Sequence, residues 1–342
     1  MVKLAERQSS VDKLDTNGGV KLQESKQKPQ AAEANIDRAL VRRAREQLRR
    51  QLEAEAAELG EQVVANKYSR AHLEQIMAPE RWETCWRYLA HTSLNVDEAV
   101  DLMRHNLVWR QENKVDSLRF DQFPKELFFK IPMNFTGRSR SGHELIYATG
   151  KNYRKPEGQD MKQLVRSFLS CIIFTWDREH QHDLDKFILV FDVSNTTFRN
   201  MDLDFSAWLI SLRDLLPSRI LACYIVGVPF LLRPLIRLIV SWMDERLRRL
   251  VFLIGWQQLF DGPEPVLDLE AVPKEAGGSA PDTWRLAPVE LPWPEERGDL
   301  FSEQMLAKID AAIFFQPDAQ ERLVEISELQ RRHEAKLRGE KV

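Results

Sequence analysis

The sequence FILVFD at residues 187–192 decides the fold class, because it is a short and continuous apolar run. Runs of this kind, rich in β-branched and aromatic residues, are typical of strands covered on both faces, as in parallel sheets. A second run, ILACYIV at residues 220–226, follows an amphipathic segment at residues 205–216 that stops at Pro217. Because proline ends a helix, the order indicates strand, helix and strand, and the usual right-handed crossover makes the two strands parallel.

Flanking segments extend this βαβ unit into a larger α/β domain. Residues 144–148 and 250–254 are further strand candidates, and residues 161–176 carry the i, i+3, i+4, i+7 spacing of an amphipathic helix. Asn95, followed three residues later by Glu98, resembles a capping box that opens a helix. We therefore expect an α/β fold in which an N-terminal helical subdomain precedes a mostly parallel β-sheet with flanking helices.

Composition divides the 342 residues into five segments. The first is polar and cannot bury enough apolar surface to offset the entropy of ordering. The second places Ile36, Leu40, Ala44 and Leu48 on one stripe of a helix. The predicted segments are disordered residues 1–30, a helical N-terminal extension at 31–79, an N-terminal helical subdomain at 80–125, the sheet domain at 126–295 and a C-terminal helical tail at 296–342.

Charge and cysteine content exclude several classes of protein. The 49 basic residues against 52 acidic ones leave a net charge of -3, which provides no overall attraction to nucleic acid. Cys85, Cys171 and Cys223 are far apart and lie among apolar residues, as expected of reduced core thiols in a cytoplasmic protein. No apolar stretch reaches the roughly 20 residues needed to span a bilayer, and the N-terminus lacks the apolar core of a secretory signal.

Catalytic and metal-binding motifs are incomplete. GRSRSG at residues 137–142 has the glycine spacing of a phosphate-binding loop, but His-Glu follows where Lys and Ser or Thr are required, so a turn is favoured. His180, His182 and Asp183 lie in a polar stretch without the spacing of a zinc site, and we expect no metal there. Asp192 ends a strand, where open α/β sheets place functional groups, but a turn role is favoured. We expect neither catalysis nor a cofactor.

Residues 230–243 form the unusual segment. Apolar residues are predicted to surround this whole helix, and Arg233 and Arg237 are its only charged residues. Such a helix is either buried in the core or faces something apolar on two sides, and it is too short to cross a bilayer. The two arginines lie four residues apart and share a face, from which they could reach water or lipid phosphate. Core helix and lid remain equal alternatives on these residues alone.

Five short motifs lie in order over about residues 80–295. They are NVDEA through LVWR at 95–110, SGHELIY at 141–147, FILVFD at 187–192, LPSR through VPF at 216–230, and VPKEAGG at 272–278. Together they resemble the CRAL-TRIO lipid-binding and lipid-transfer family. Residues 201–205 resemble one member of that family in particular. Ser218 and Leu250 stand where phosphatidylinositol-binding members carry an acid and a lysine, so that the resemblance implies no particular head group.

The resemblance implies that residues 126–295 enclose a hydrophobic pocket, with residues 230–243 as a mobile gate through which a lipid enters and leaves. Candidate phosphate contacts are Arg219, Arg233 and Arg237. The candidate pocket residues are Phe168, Phe191, Phe205, Tyr224, Val226, Phe230, Leu235, Ile236, Ile239, Trp242 and Met243.

The function predicted from the sequence is binding, and exchange between membranes, of a small hydrophobic ligand, with a phospholipid as the favoured class. Its other partner would be a transient membrane surface, with peripheral contact from the cytoplasm and no role for nucleic acid. The alternative is a non-catalytic interaction scaffold with a collapsed pocket, whose long terminal helices bind a protein partner.

Overall fold

A helical N-terminal part precedes a five-stranded sheet in the computed structural model, which describes residues 37–123, 127, 133–150, 153–156, 158–180, 183–261 and 266–272. The strands are β1 (Met133–Arg138), β2 (Glu144–Thr149), β3 (Phe187–Asp192), β4 (Ile220–Val226) and β5 (Val251–Ile254). The helices are α1 (Arg38–Leu59), α2 (Glu61–Lys67), α3 (Arg70–Met77), α4 (Trp82–His91), α5 (Val96–Glu112), α6 (Gln159–Glu179), α7 (Leu203–Leu215), α8 (Arg233–Ser241), α9 (Glu245–Arg248) and α10 (Trp256–Asp261).

Helices α1 to α5 share one apolar core. The stripe predicted on α1 is its buried face, since Ala44 and Leu48 are fully buried against side chains of α4 and α5. Helix α5 begins as its sequence predicts, because the Asn95 side chain accepts hydrogen bonds from the backbone N–H groups of Asp97 (3.1 Å) and Glu98 (3.3 Å). Segments predicted as an extension and as a subdomain therefore contribute to the same core.

The sheet has the order β1-β2-β3-β4-β5, with β2 to β5 parallel and β1 antiparallel to β2. This confirms the predicted α/β fold class and the βαβ unit of β3, α7 and β4. The sequence does not predict strand β1, because MNFTGR has no continuous apolar run and contains a glycine. In the structure this glycine, Gly137, has a φ of 133°. The GRSRSG motif forms the hairpin turn between β1 and β2, where Ser139 donates its backbone N–H to the His143 carbonyl (2.8 Å).

The two faces of the sheet carry alternate residues of each strand. One face packs against α10 and residues 266–272 and includes Leu145, Ile188, Val190 and Tyr224. The other packs against α6, α7 and α8. None of the helices in the described ranges is both long enough and apolar enough to cross a bilayer.

Several predictions concern residues outside the described part. These predictions are the disorder of residues 1–30, the helical tail at 296–342 and the double-glycine motif at residues 277–278. The predicted helix position of Ile36 and the possible metal ligand His182 also lie outside the described residues.

Candidate functional site

An apolar cavity of about 260 Å³ lies between the sheet and helices α6, α7 and α8. Its floor is the sheet face that carries Leu189, Phe191, Cys223 and Ile225. Ile236 and Ile239 of α8 are buried against the same group of residues and cover the cavity from outside. The volume exceeds the ~150 Å³ of an apolar cavity that binds benzene, so that a small hydrophobic ligand fits.

One end of the cavity is polar and lies at the N-terminus of α7. Asp202 caps this helix, because its Oδ1 accepts a hydrogen bond from the Phe205 backbone N–H (3.1 Å), and its Oδ2 accepts one from the Tyr153 hydroxyl (2.9 Å). The Tyr153 ring stacks on Phe205 with a centroid distance of 5.3 Å. Burial, with the nearby Asp202 carboxylate, raises the pKa of Tyr153. The hydroxyl therefore stays protonated and donates to Asp202.

The other end of the cavity is formed by Arg213 in the last turn of α7. Its Nη1 donates to Asp214 Oδ1 (3.1 Å) and to Asp244 Oδ2. Asp244 also caps α9, since its Oδ1 accepts a hydrogen bond from the Leu247 backbone N–H (2.8 Å). The Arg213–Asp244 pair thus joins α7 to the segment that directly follows α8.

Helix α8 differs in form from the fourteen-residue apolar helix that the sequence predicts. Residues 230–232 form a separate 3-10 turn, and the α-helix of nine residues starts at Arg233 with Pro234 in its first turn. Ile236 and Ile239 point inward, one turn apart. Four apolar residues instead face outward, namely Phe230 (77% exposed), Leu231 (72%), Leu238 (46%) and Trp242 (43%).

Part of the predicted pocket is brought together by the fold. Leu235 is half-buried beside this cavity and packs against the cluster of Ile225, Ile236 and Ile239. The predicted residues that line the cavity are Phe191, Phe205, Ile236, Ile239 and Met243.

Five predicted pocket residues lie elsewhere. Tyr224 and Val226 project from the opposite face of β4, because they alternate with Cys223 and Ile225. Phe168 packs edge-on against Phe123, with ring centroids 5.2 Å apart, on the far side of α6. Phe230 and Trp242 are exposed on the outer side of the α8 segment, as described above.

The prediction of Arg219 as a phosphate contact is wrong, because its side chain is bound to carboxylates inside the protein and does not line the cavity. It is fully buried, with its Nε donating to Asp177 Oδ1 (2.9 Å) and its Nη1 donating to Asp183 Oδ1 (3.1 Å). Arg87 (3.7 Å) and Arg110 (3.1 Å) also pair with Asp177. Burial alone would raise the pKa of Asp177, but the charges of these three arginines hold it well below its usual range. Arg233 and Arg237, in contrast, are exposed on α8.

Arg219 also contacts the residues that were considered as possible metal ligands. His180, Asp183 and Asp185 place ligand atoms within 4.8 Å of one another. The Arg219 guanidinium already lies among them, because it donates to Asp183 Oδ1 and to the Asp185 carbonyl (2.8 Å). A positive charge is thus supplied by the protein itself.

Asp192 has the turn role that its sequence position favours. Its Oδ1 accepts a hydrogen bond from the Ser194 backbone N–H (2.8 Å), and its Oδ2 accepts one from the Tyr147 hydroxyl (2.8 Å).

Sequence reasoning missed Leu189, Cys223, Ile225 and Arg213 as cavity residues. The alternation along β3 offered a signal for Leu189, because Phe191 is two residues away and was selected. Arg213 carried no such signal, since a charged residue on an amphipathic helix is ordinarily assigned to its solvated face.

Comparison with known proteins identifies the architecture. Residues 130–278 match the family model of the CRAL/TRIO domain. The crystal structure of Sfh5 aligns with a TM-score of 0.50 and 18% identity over 72% of this chain and 90% of that chain. No significant match was found among curated proteins. The fold class expected from the sequence is confirmed, and the family match agrees with the CRAL-TRIO resemblance. The closer likeness of residues 201–205 to motile sperm domain-containing protein 2 is not supported.

Proposed function

We propose that the protein binds a small hydrophobic ligand in the cavity and exchanges it with a membrane surface, with α8 as the gate. The observation that carries this proposal is the apolar cavity of about 260 Å³ between the sheet and α8. Burial of apolar surface contributes roughly 25 cal/mol per Å², so that a ligand enclosed on all sides gains most from leaving water. The match of residues 130–278 to the CRAL/TRIO domain supports ligand binding as the general function.

The apolar outer side of α8 supports a membrane as the place of exchange. Exposed apolar patches mark interaction sites, and Phe230 and Leu231 are the most exposed large apolar residues in the described chain. Arg233 lies with its guanidinium 5.8 Å from the Phe230 ring centroid, close enough to bind lipid phosphate when that ring enters a bilayer. Outward movement of α8 would expose Ile236 and Ile239 and open the cavity.

A phospholipid is the ligand class that the family resemblance favours. The cavity is slightly smaller than the ~300–1,000 Å³ of typical small-molecule sites, so that a ligand with two acyl chains requires α8 to move outward. We propose a cytoplasmic protein that meets membranes peripherally.

Non-catalytic binding is part of this proposal. Cys223 lines the cavity, but burial raises the pKa of its thiol to about 12. It therefore stays protonated near neutral pH and contributes an apolar wall instead of a nucleophile.

Native mass spectrometry followed by organic extraction tests the proposal. We expect the purified full chain to carry a hydrophobic compound or to take one up from labelled liposomes. Recovery of no such compound together with no uptake would contradict it and would favour the scaffold with a collapsed pocket.

A further inference from the structure

The cavity has a basic end and an acidic end. Arg213 is the one basic residue among its described lining residues, is 9% exposed and lies in the last turn of α7. Asp202 lines the cavity at the first turn of the same helix. At a rise of about 1.5 Å per residue the two positions are ~16 Å apart along α7. The side chains between them that line the cavity are mainly apolar, and include Phe205, Leu209 and Leu212.

The guanidinium of Arg213 is only partly used by the protein. Both of its hydrogen bonds, to Asp214 and to Asp244, come from Nη1. Within the described residues neither Nε nor Nη2 has a partner. A guanidinium offers five N–H donors, so the two hydrogen bonds of Nη1 leave further donors available. Arg213 can therefore bind a further oxyanion that enters from the cavity.

Asp244 is the group with which such an oxyanion would compete. Its side chain is 51% exposed, so that it can return to water at little cost when Arg213 finds another partner. It lies three residues after the end of α8 and is the N-cap of α9. An oxyanion on Arg213 would thus weaken the link between α7 and the C-terminal end of α8.

We propose that the cavity takes a single-chain amphiphile with an anionic head group, a carboxylate or a phosphate, which pairs with Arg213. This inference rests on the proposed function and names its ligand class. The chain would run along α7 toward the Asp202 end, because the acidic Asp202 disfavours an anion there. Binding of the head group would loosen the Arg213–Asp244 pair and so favour opening of α8.

Equilibrium binding of palmitate, palmitoyl lysophosphatidate and hexadecanol to the full chain tests the proposal, since the three probes share one chain length and differ in head group. We expect at least one anionic probe to bind about tenfold or more tightly than hexadecanol. The reason is that a hydrogen-bonded charge pair with Arg213 adds binding free energy that the uncharged alcohol lacks. The Arg213→Met variant should lose this advantage, so that the anionic probes bind to it no more tightly than hexadecanol does.

The Asp244→Asn variant separates ligand competition from a structural role, because the two predict opposite signs. Asn is as good a helix N-cap as Asp, so α9 keeps its cap. Removing the competing carboxylate should raise affinity for the anionic probe several-fold, whereas a purely structural pair would give a loss. Glu245→Gln is the matched control, because it neutralises an exposed acid one residue away that pairs with Arg249, and it should change nothing.

The outcomes are distinguishable. Equal binding of anionic probes and hexadecanol, or a loss of anionic affinity in Asp244→Asn, overturns this inference and leaves the proposed function intact. Binding of none of the three probes overturns both. If Arg213→Met fails to fold, the gain in Asp244→Asn and an intermediate affinity in Arg213→Lys still decide the matter.

Discussion

The two faces of the central sheet are made by the same strands but are packed to different degrees. On the face toward α10, Ile188 and Val190 of β3 are 2% and 0% exposed. On the face toward α8, their neighbours Leu189 and Phe191 are only half-buried, because they border the cavity. Since side chains alternate along a strand, one strand fills the core with one face and borders the cavity with the other.

The largest expected effect is the loss of a leucine from the filled face. Leu145 of β2 is fully buried, and Leu145→Ala should lower the free energy of unfolding by about 3 kcal/mol through lost burial and a new void. Leu189→Ala is the matched substitution on the cavity face, where the side chain already borders empty space. We expect about 1 kcal/mol for it. Urea unfolding measures both, and equal losses would contradict the difference between the faces.

Introducing a large side chain tests the two faces in the opposite direction, because the cavity face has room for it and the filled face does not. Ala148 lines the cavity, whereas Ala222 is 3% exposed on the filled face. Ala148→Phe should block ligand uptake with little change in stability, because the ring enters the cavity. Ala222→Phe should cost about 1–3 kcal/mol through overpacking. A ligand-binding assay and urea unfolding check this pair, and unchanged uptake by Ala148→Phe would place the ligand elsewhere.

Within the described residues, the element that covers the cavity face, α8, has exposed apolar side chains on its outer side. Rates of lipid transfer test the role of these side chains. Phe230→Ser with Leu231→Ser should slow transfer between liposomes several-fold and leave equilibrium binding unchanged, because neither residue lines the cavity. Leu59→Ser with Val63→Ser is the control, since these residues are 48% and 51% exposed on the N-terminal helices. Equal rates for both double variants would refute membrane contact through α8.

The smallest expected effect concerns thiol chemistry. Burial raises the pKa of both Cys223 and Cys85 to about 12, so each should react with maleimide far more slowly at pH 8 than an ordinary thiol, and faster as pH rises. Cys223 lines the cavity, and Cys85 lies in the helical core. A bound ligand should therefore protect Cys223 alone, as peptide mass mapping would show. Equal protection of both would indicate general stabilisation instead.

Much of the fold could be predicted from the sequence, because β2 to β5 and helices α5 to α7 have strong local patterns. The choice of sheet face could not. FILVFD and ILACYIV are apolar at nearly every position, since both faces are covered, so no alternation of polarity distinguishes Cys223 from Tyr224. The selection of Tyr224 and Val226 reflects this ambiguity.

The locations of Arg219 and Arg213 in the structure could not be predicted from local sequence patterns either. Arg219 is buried because it meets Asp177, which lies 42 residues earlier in the chain. Arg213 lines the cavity because Asp244, 31 residues later, comes to lie beside it. Pairings over such separations depend on tertiary structure, and one sequence carries no local sign of them.

The cluster around Asp177 has a consequence for the smallest part of the chain that can fold. Asp177 belongs to α6 and Arg219 directly precedes β4, while Arg87 and Arg110 come from α4 and α5. Removal of one member leaves a buried charge without its partner, which typically costs about 3–5 kcal/mol. A truncated chain that begins after α5 would lose two of the three arginines together. The autonomous folding unit must therefore begin upstream of α4, well before residue 130, where the CRAL/TRIO match begins.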